Sequence, residues 1–293
     1  MSSAVSPASG QWLQFGGPRR DFRCDSVELA LEWPKDGPKR IWSRAFGDGY
    51  SGIVVDGGRL ISMYREGDEE FIVSLDTESG DKIWECRYTD PIDKAQFASR
   101  YGYGPRSTPL IVGTQVYAVS FNGRLSCLEK STGVLKWSVE LVKQFKGQLP
   151  RWGYANSPIA HEETIILPVG GPGAAFVAFD QATGRTRWRR HDFENSYGSP
   201  ILIDVDGQAQ LVCLMAKEVV GLSPKSGDLL WRHHHEGQWR NNVPNPIWGT
   251  DQTLLVSSEG VAGTRLLKIV QSTSRAGTLS GRPATSAARD CFA

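Results

Sequence analysis

Apolar residues in this chain come in short runs of strand length, and turn residues close each run. Between residues 107 and 139 the order is TPLIV, VYAVSF, RLSCLE and VLKWSV, separated by GTQ, Asn122-Gly123 and KSTG. The β-branched and aromatic runs predict four strands. Asn-Gly predicts a type I′ hairpin, because both central residues of that turn need positive φ. The Ser-Thr-Gly turn suits a glycine at positive φ, with hydroxyls that bond the local backbone. The same order recurs in SGIVVDGG to DKIWEC, SPIAHEETIILPVGG to RTRWRR, and SPILIDVDG to DLLWRH. Four antiparallel meanders are therefore predicted, at about 51–87, 107–139, 156–190 and 199–233.

One phrase ends every meander. Gly80 with Trp84, Gly133 with Trp137, Gly184 with Trp188 and Gly227 with Trp231 recur at roughly fifty-residue intervals, the range of stacked repeat architectures. A four-stranded meander cannot bury both faces alone, so neighbours must stack, and a ring of them leaves only short edges. The expected fold is all-β, a β-propeller of four-stranded antiparallel blades. Each repeat tryptophan then fills the gap between adjacent blades, where burying the ring contributes roughly 2–3 kcal/mol. The pattern is partial at both ends. NPIWGTDQTLLVSSEG and LLKIV begin a fifth blade that stops before its turn and tryptophan. Upstream, Trp42 in KRIWSR reads as an orphan fourth strand.

The pattern D-x-x-T-G-x-x-x-W after an apolar strand resembles the tryptophan-docking repeat of the pyrroloquinoline-quinone-like (PQQ-like) β-propellers. The opening W-x-x-F-x-G-P-x-R-D (Trp12 to Asp21), EWPKDGPKRIW and GDGYSG resemble the start of large uncharacterised bacterial members. The resemblance covers about residues 11–270. It implies rings of seven or eight blades, so four full blades with partial ones at both ends make an incomplete ring. It also implies two kinds of activity, those of quinoprotein alcohol dehydrogenases and of the propeller lipoprotein of the outer-membrane assembly machinery. The dehydrogenases hold PQQ over calcium, with carboxylate and Asn ligands, a catalytic Asp, an Arg, a tryptophan floor and a disulfide between adjacent cysteines. No Cys-Cys pair occurs here. Oxygen ligands for a hard cation could be sought in Asp90, Asp93, Glu194 or Asn195, but no spacing singles them out.

Composition narrows the picture further. Lys+Arg 33 against Asp+Glu 32 gives a net charge of +1, which makes no overall case for nucleic acid or an anionic membrane. No stretch approaches the roughly 18 apolar residues of a membrane span. MSSAVSPASGQ has neither the basic segment nor the apolar core of a secretory signal. As written the chain reads as cytoplasmic, and as periplasmic or secreted if its start lies elsewhere. Residues 1–10 read as a flexible N-terminus. The apolar-poor QSTSRAGTLSGRPATSAARDCFA (271–293) reads as a disordered or frame-altered tail. The five cysteines are widely spaced, without C-x-x-C; Cys86, Cys127 and Cys213 sit in strands of separate repeats, as free thiols do.

Chemistry should concentrate in the loops between blades, 87–107, 141–157, 191–199 and 233–245. They carry Tyr101, Tyr103, Arg106, Arg151, Trp152, Tyr154, Tyr197, Trp239, Arg240 and Asn241, followed by Asn242. Rigid aromatics and Arg on long loops mark binding faces, although the same residues can also plug the channel and cap blades. His233-His234-His235 cannot converge on a metal from one strand, because successive residues face opposite sides; a solvated strand end is expected. The acidic run Glu66-Gly67-Asp68-Glu69-Glu70 reads as a solvated turn. GGPG (170–173) serves a turn, and neither a phosphate loop nor a G-x-S-x-G elbow is present. The expectation is a non-catalytic scaffold that binds a protein or peptide partner through its loop face, with no metal and no cofactor. The alternative is a PQQ- and calcium-dependent alcohol or sugar dehydrogenase, or a non-functional fragment of one. Open propeller edges add a second surface for association.

Overall fold

Each predicted meander folds as one blade. In the computed structural model, which describes residues 11–24, 32–94, 97, 101–270 and 289–290, five four-stranded antiparallel sheets follow one another in sequence. Blade 1 is β1 (Val54–Asp56), β2 (Arg59–Glu66), β3 (Glu69–Asp76) and β4 (Lys82–Thr89). Blade 2 is β5 (Leu110–Val112), β6 (Gln115–Val119), β7 (Arg124–Glu129) and β8 (Leu135–Glu140). Blade 3 is β9 (Ile159–His161), β10 (Thr164–Gly171), β11 (Ala174–Asp180) and β12 (Thr186–Arg190). Blade 4 is β13 (Ile201–Val205), β14 (Gln208–Leu214), β15 (Glu218–Leu222) and β16 (Leu229–His234). Blade 5 is β17 (Ile247–Trp248), β18 (Thr253–Ser257) and β19 (Thr264–Lys268), with β20 (Arg289–Asp290) pairing Lys268 to Arg289. The rest of the tail and residues 1–10 lie outside the described residues. The connection read as a loop at 141–157 opens with a short helix, α1 (Leu141–Phe145), whose Leu141 and Phe145 are buried.

The repeat tryptophans join neighbours by one rule. Trp84, Trp137 and Trp188 each lie against the turn glycine of the next blade, Gly133, Gly184 and Gly227. A Cβ on those glycines would fall 2.5–2.6 Å from the ring, and their φ of +70° to +75° favours glycine independently. Each indole N–H donates to the carbonyl three residues before that glycine: Lys130 at 2.8 Å, Gln181 at 3.0 Å and Pro224 at 3.2 Å. Trp42 obeys the same rule on Gly80, donating to Thr77 O at 2.9 Å, although residues 39–46 form no strand. It therefore supplies a docking tryptophan without the strand expected around it. Among the described residues Trp231 meets no such turn ahead, and it folds onto Gly221 of its own blade, donating to Gln210 Oε1 at 2.7 Å.

A second ladder runs along the inner ends of the blades. Thr108, Ser157, Ser199 and Asn245 each precede a proline, which holds the chain extended into the innermost strand. The backbone N–H of Thr108 donates to Ser157 Oγ, that of Ser157 to Ser199 Oγ, and that of Ser199 to Asn245 Oδ1, at 3.0, 2.8 and 2.7 Å.

The opening segment crosses these innermost strands as a strap. Trp12 pairs with Val55, and Leu13 O accepts from Ile111 N. Arg20 then donates to Pro158 O at 2.8 Å, Pro200 O at 3.0 Å and Gln14 Oε1 at 2.9 Å. One segment thus touches blades 1 to 4. Burial pulls the Arg20 guanidinium down to about 9, so it stays charged at neutral pH. Arg20→Ala is expected to lower the unfolding free energy by about 2–3 kcal/mol in urea titrations, because charged hydrogen bonds are lost at a desolvated site.

Candidate functional site

The loops between blades converge beside the strap on a cleft of about 600 Å³. Of the residues expected on the binding face, Tyr101, Arg106, Trp152, Tyr197 and Asn241 line it. Arg106 organises this wall. Its Nε donates to Trp152 O at 2.7 Å and its Nη2 to Gly102 O at 3.1 Å, tying the loop before blade 2 to the loop before blade 3. Its Cζ lies 4.9 Å from the Tyr50 ring centroid, a cation–π arrangement. The Tyr101 and Trp152 rings sit 5.3 Å apart, and the Tyr197 hydroxyl accepts from Trp152 N at 3.2 Å. Burial lowers the Arg106 pKa and raises that of Tyr197. The cleft thus combines π faces, an oriented cation and amide donors.

The remaining expected face residues go elsewhere. Tyr154 is a core residue, packed with Phe145 and Phe179 and donating its hydroxyl to Pro168 O. Tyr103 packs edge-on against Phe121, and Arg151 lies over the Trp152 ring at 6.0 Å. Trp239 stands 81 % exposed in a turn, and Arg240 beside it pairs with Glu194 at 3.3 Å and Glu236 at 3.1 Å. Sequence reasoning missed Phe15 and Tyr50, which complete the cleft together with Val243, Asn245 and Glu259. Their signal was present: both aromatics lie in the glycine-rich motifs of the opening segment, Phe15 in W-x-x-F and Tyr50 in GDGYSG.

Two polar clusters depart from expectation. Glu66, Gly67 and Asp68 are solvated, as expected of a turn, but Glu70 is fully buried. It receives Arg65 Nη2 at 2.8 Å, Phe121 N at 3.0 Å and the Tyr88 hydroxyl at 3.1 Å, and Asp90 stands 3.3 Å from the same Arg65 nitrogen. Strand alternation places Glu70 inward, so the cluster bolts blade 1 to blade 2. His233 and His234 end β16 near Arg265, whereas His235 is buried with Nε2 3.0 Å from Ser258 Oγ. Burial, then Arg265, pulls His235 down to about 4. It is a neutral packing residue rather than part of a solvated strand end.

These placements bear on calcium and a quinone. Asp90 is held by Arg65 and Asn122, Glu194 by Lys217 and Arg240, and Asn195 by Asn156. Glu259 is the one carboxylate lining the cleft among the described residues. Calcium takes six to eight oxygen ligands, so this donor set does not fit it. Among the described residues no cluster of three or more His, Cys, Asp or Glu is placed around a common point. Cys24, Cys86, Cys127 and Cys213 are free, and burial pushes the Cys127 thiol up to about 11. No helix among the described residues is long and apolar enough to cross a membrane.

Comparison with known proteins gives three concordant findings. The family model PQQ_2, described as outer membrane protein assembly factor BamB, matches residues 70–276. The chain is similar to outer membrane protein assembly factor BamB of Burkholderia pseudomallei (strain K96243), 26% identical over 66% of this chain and 46% of that protein. It is also similar to a quinohemoprotein alcohol dehydrogenase of Comamonas testosteroni, 29% identical over 47% of this chain and 19% of that protein. Among solved structures, BamB from Moraxella catarrhalis superimposes with a TM-score of 0.52 at 17% identity, over 75% of this chain and 61% of that one. The chain thus spans about half the length or less of these curated relatives.

Proposed function

Because the chain belongs to the PQQ-like propeller family described as outer membrane protein assembly factor BamB, we propose that it is a non-catalytic scaffold that takes a protein or peptide segment into the loop-face cleft. The observation that carries this reading is the wall of Tyr50, Tyr101, Arg106, Trp152 and Tyr197, contributed by loops from separate blades and held by hydrogen bonds between those loops. Pre-ordered aromatics and an oriented Arg are the groups that dominate protein–protein affinity. The name of the Burkholderia relative, an assembly factor, favours a protein partner over a small substrate.

Immobilised protein should capture a discrete partner from an extract of its own bacterium. Trp152→Ala should weaken that capture roughly thirtyfold or more, the scale of a central hot-spot tryptophan. Trp239→Ala should leave it unchanged, because Trp239 lies outside the cleft, and both variants should unfold at the parental midpoint. Capture insensitive to Trp152→Ala would remove the cleft as the binding face. Similarity to the Comamonas dehydrogenase supports the second reading, an alcohol oxidoreductase. Dye-linked alcohol oxidation with added PQQ and calcium is its direct assay, and the expected result is no turnover.

A further inference from the structure

The loop-face cleft is rich in hydrogen-bond donors and poor in acceptors. The carbonyls of its wall are taken up from within: Arg106 holds Trp152 O at 2.7 Å, Gly102 O at 3.1 Å and Tyr101 O at 3.4 Å. In the loop before blade 5, Asn242 O accepts from Tyr197 N and Gly198 N, both at 3.1 Å. Donors are left over. The Arg106 Nη1 group, the Trp152 indole N–H and the Tyr50 hydroxyl bond nothing among the described residues. Asn245 accepts from Ser199 N through Oδ1, and Ser199 Oγ accepts from Ser157 N, so the Asn245 Nδ2 group and the Ser199 hydroxyl proton remain to donate. Against these stand the Glu259 carboxylate and the Asn241 side-chain oxygen. Neither Arg106 nor Glu259 has an ion-pair partner among the described residues. These two charges cancel, so an occupant without net charge is complementary.

We propose that the cleft takes a proline-rich segment of its partner in the polyproline II conformation, an inference that rests on the cleft being the seat of a protein segment. Donors without acceptors select a ligand that brings acceptors without donors. An ordinary extended segment carries an N–H at every residue, and each one buried without an acceptor loses its hydration for nothing. Saccharide hydroxyls bring the same surplus of donors. An acidic segment would supply acceptors, but its charge meets Glu259 in a cleft of no net charge. Proline residues supply carbonyls and no N–H. Polyproline II has no internal hydrogen bonds, so those carbonyls point outward, and its conformation is already set before binding. Its pyrrolidine rings pack in aromatic-lined grooves. Tyr50, Tyr101, Trp152 and Tyr197 provide such a lining, with the Tyr101 and Trp152 rings 5.3 Å apart.

Fluorescein-labelled decaproline titrated with the full chain should give a saturable rise in anisotropy. A labelled alanine–glycine peptide of equal length should bind at least about tenfold more weakly, because its N–H groups find no acceptors. Trp152→Ala should weaken decaproline binding about thirtyfold. Tyr50→Phe keeps an exposed ring and deletes only a donor, so it folds as the parent does and should weaken binding about fivefold. Equal affinity for the two peptides would overturn the proposal, as would decaproline binding that neither substitution moves. Tighter binding of a chitohexaose probe would assign the cleft to a saccharide and overturn it as well. Failure of decaproline to bind, with Trp152-dependent capture of a protein intact, would overturn the proline inference and leave the scaffold reading standing. Loss of that capture as well would remove both.

Discussion

Trp188→Ala is expected to destabilise the protein by about 3–5 kcal/mol, the cost of deleting a large buried aromatic from a site that cannot collapse. Trp188 is buried among Ile166, Ala178, Leu211 and Cys213, at the seam between blades 3 and 4. The backbone of Gly227 fixes one wall of its slot, and the indole N–H satisfies Pro224 O. Truncation therefore opens a cavity and leaves a carbonyl without its donor. The glycine supplies an independent check. Gly227→Ala would put a Cβ 2.6 Å from the Trp188 ring, on a residue at φ +75°. The left-handed backbone alone costs about 1–2 kcal/mol, and the clash adds to it. In the Trp188→Ala background the clash vanishes, so the two changes should be markedly non-additive in urea titrations. Strict additivity would mean that the tryptophan does not dock on that turn.

Arg65→Met should cost about 3–5 kcal/mol at pH 7.5, because it strands Glu70 and Asp90 at a desolvated site. Burial, then Asp90, raises the Glu70 carboxyl from 4.5 to about 7, despite the opposing pull of Arg65. The folded state thus binds this proton more tightly than the unfolded state does. The stabilisation linked to it is fully present below about pH 4.5 and is lost as pH rises through about 7, a change on the order of 3 kcal/mol. Glu70→Gln can keep the bonds from Arg65 and Phe121 without the ionisation. Its stability relative to the parent should therefore rise between pH 5 and pH 7.5. The Arg65→Met deficit should shrink at pH 5, where Glu70 is protonated. A deficit independent of pH would assign the loss to packing rather than charge.

The architecture was legible because strand periodicity, turn chemistry and the Gly–Trp pairs all describe contacts between neighbours in sequence or between successive repeats. Asn122-Gly123 and the Ser-Thr-Gly turns specify hairpins locally, so four blades followed within a few residues of their observed bounds. The lining of the candidate cleft was half legible. Arg106, Trp152 and Tyr197 could be found because long loops with rigid aromatics are rare features. Tyr154 sits in the same loop with the same composition, and its inward direction depends on packing against Phe145 and Phe179 that spacing does not encode. Phe15 reaches the cleft only because the strap crosses four blades, a contact of long sequence separation. Glu70 was concealed for a related reason: its carboxylate is neutralised by Arg65 across a hairpin and by a backbone N–H from blade 2. Trp42 shows the converse: it read as an orphan fourth strand, and the structure instead docks it on Gly80 without forming that strand.

Site-directed photocross-linking tests the scaffold account most directly. A benzoyl-phenylalanine at Tyr50, on the exposed rim of the cleft, is compared with one at Leu229 on the outer strand of blade 4. The account predicts a single discrete protein adduct from position 50, absent from position 229 and lost when Trp152→Ala is added. Equal adducts from both positions, or an adduct at position 50 indifferent to Trp152, would contradict it.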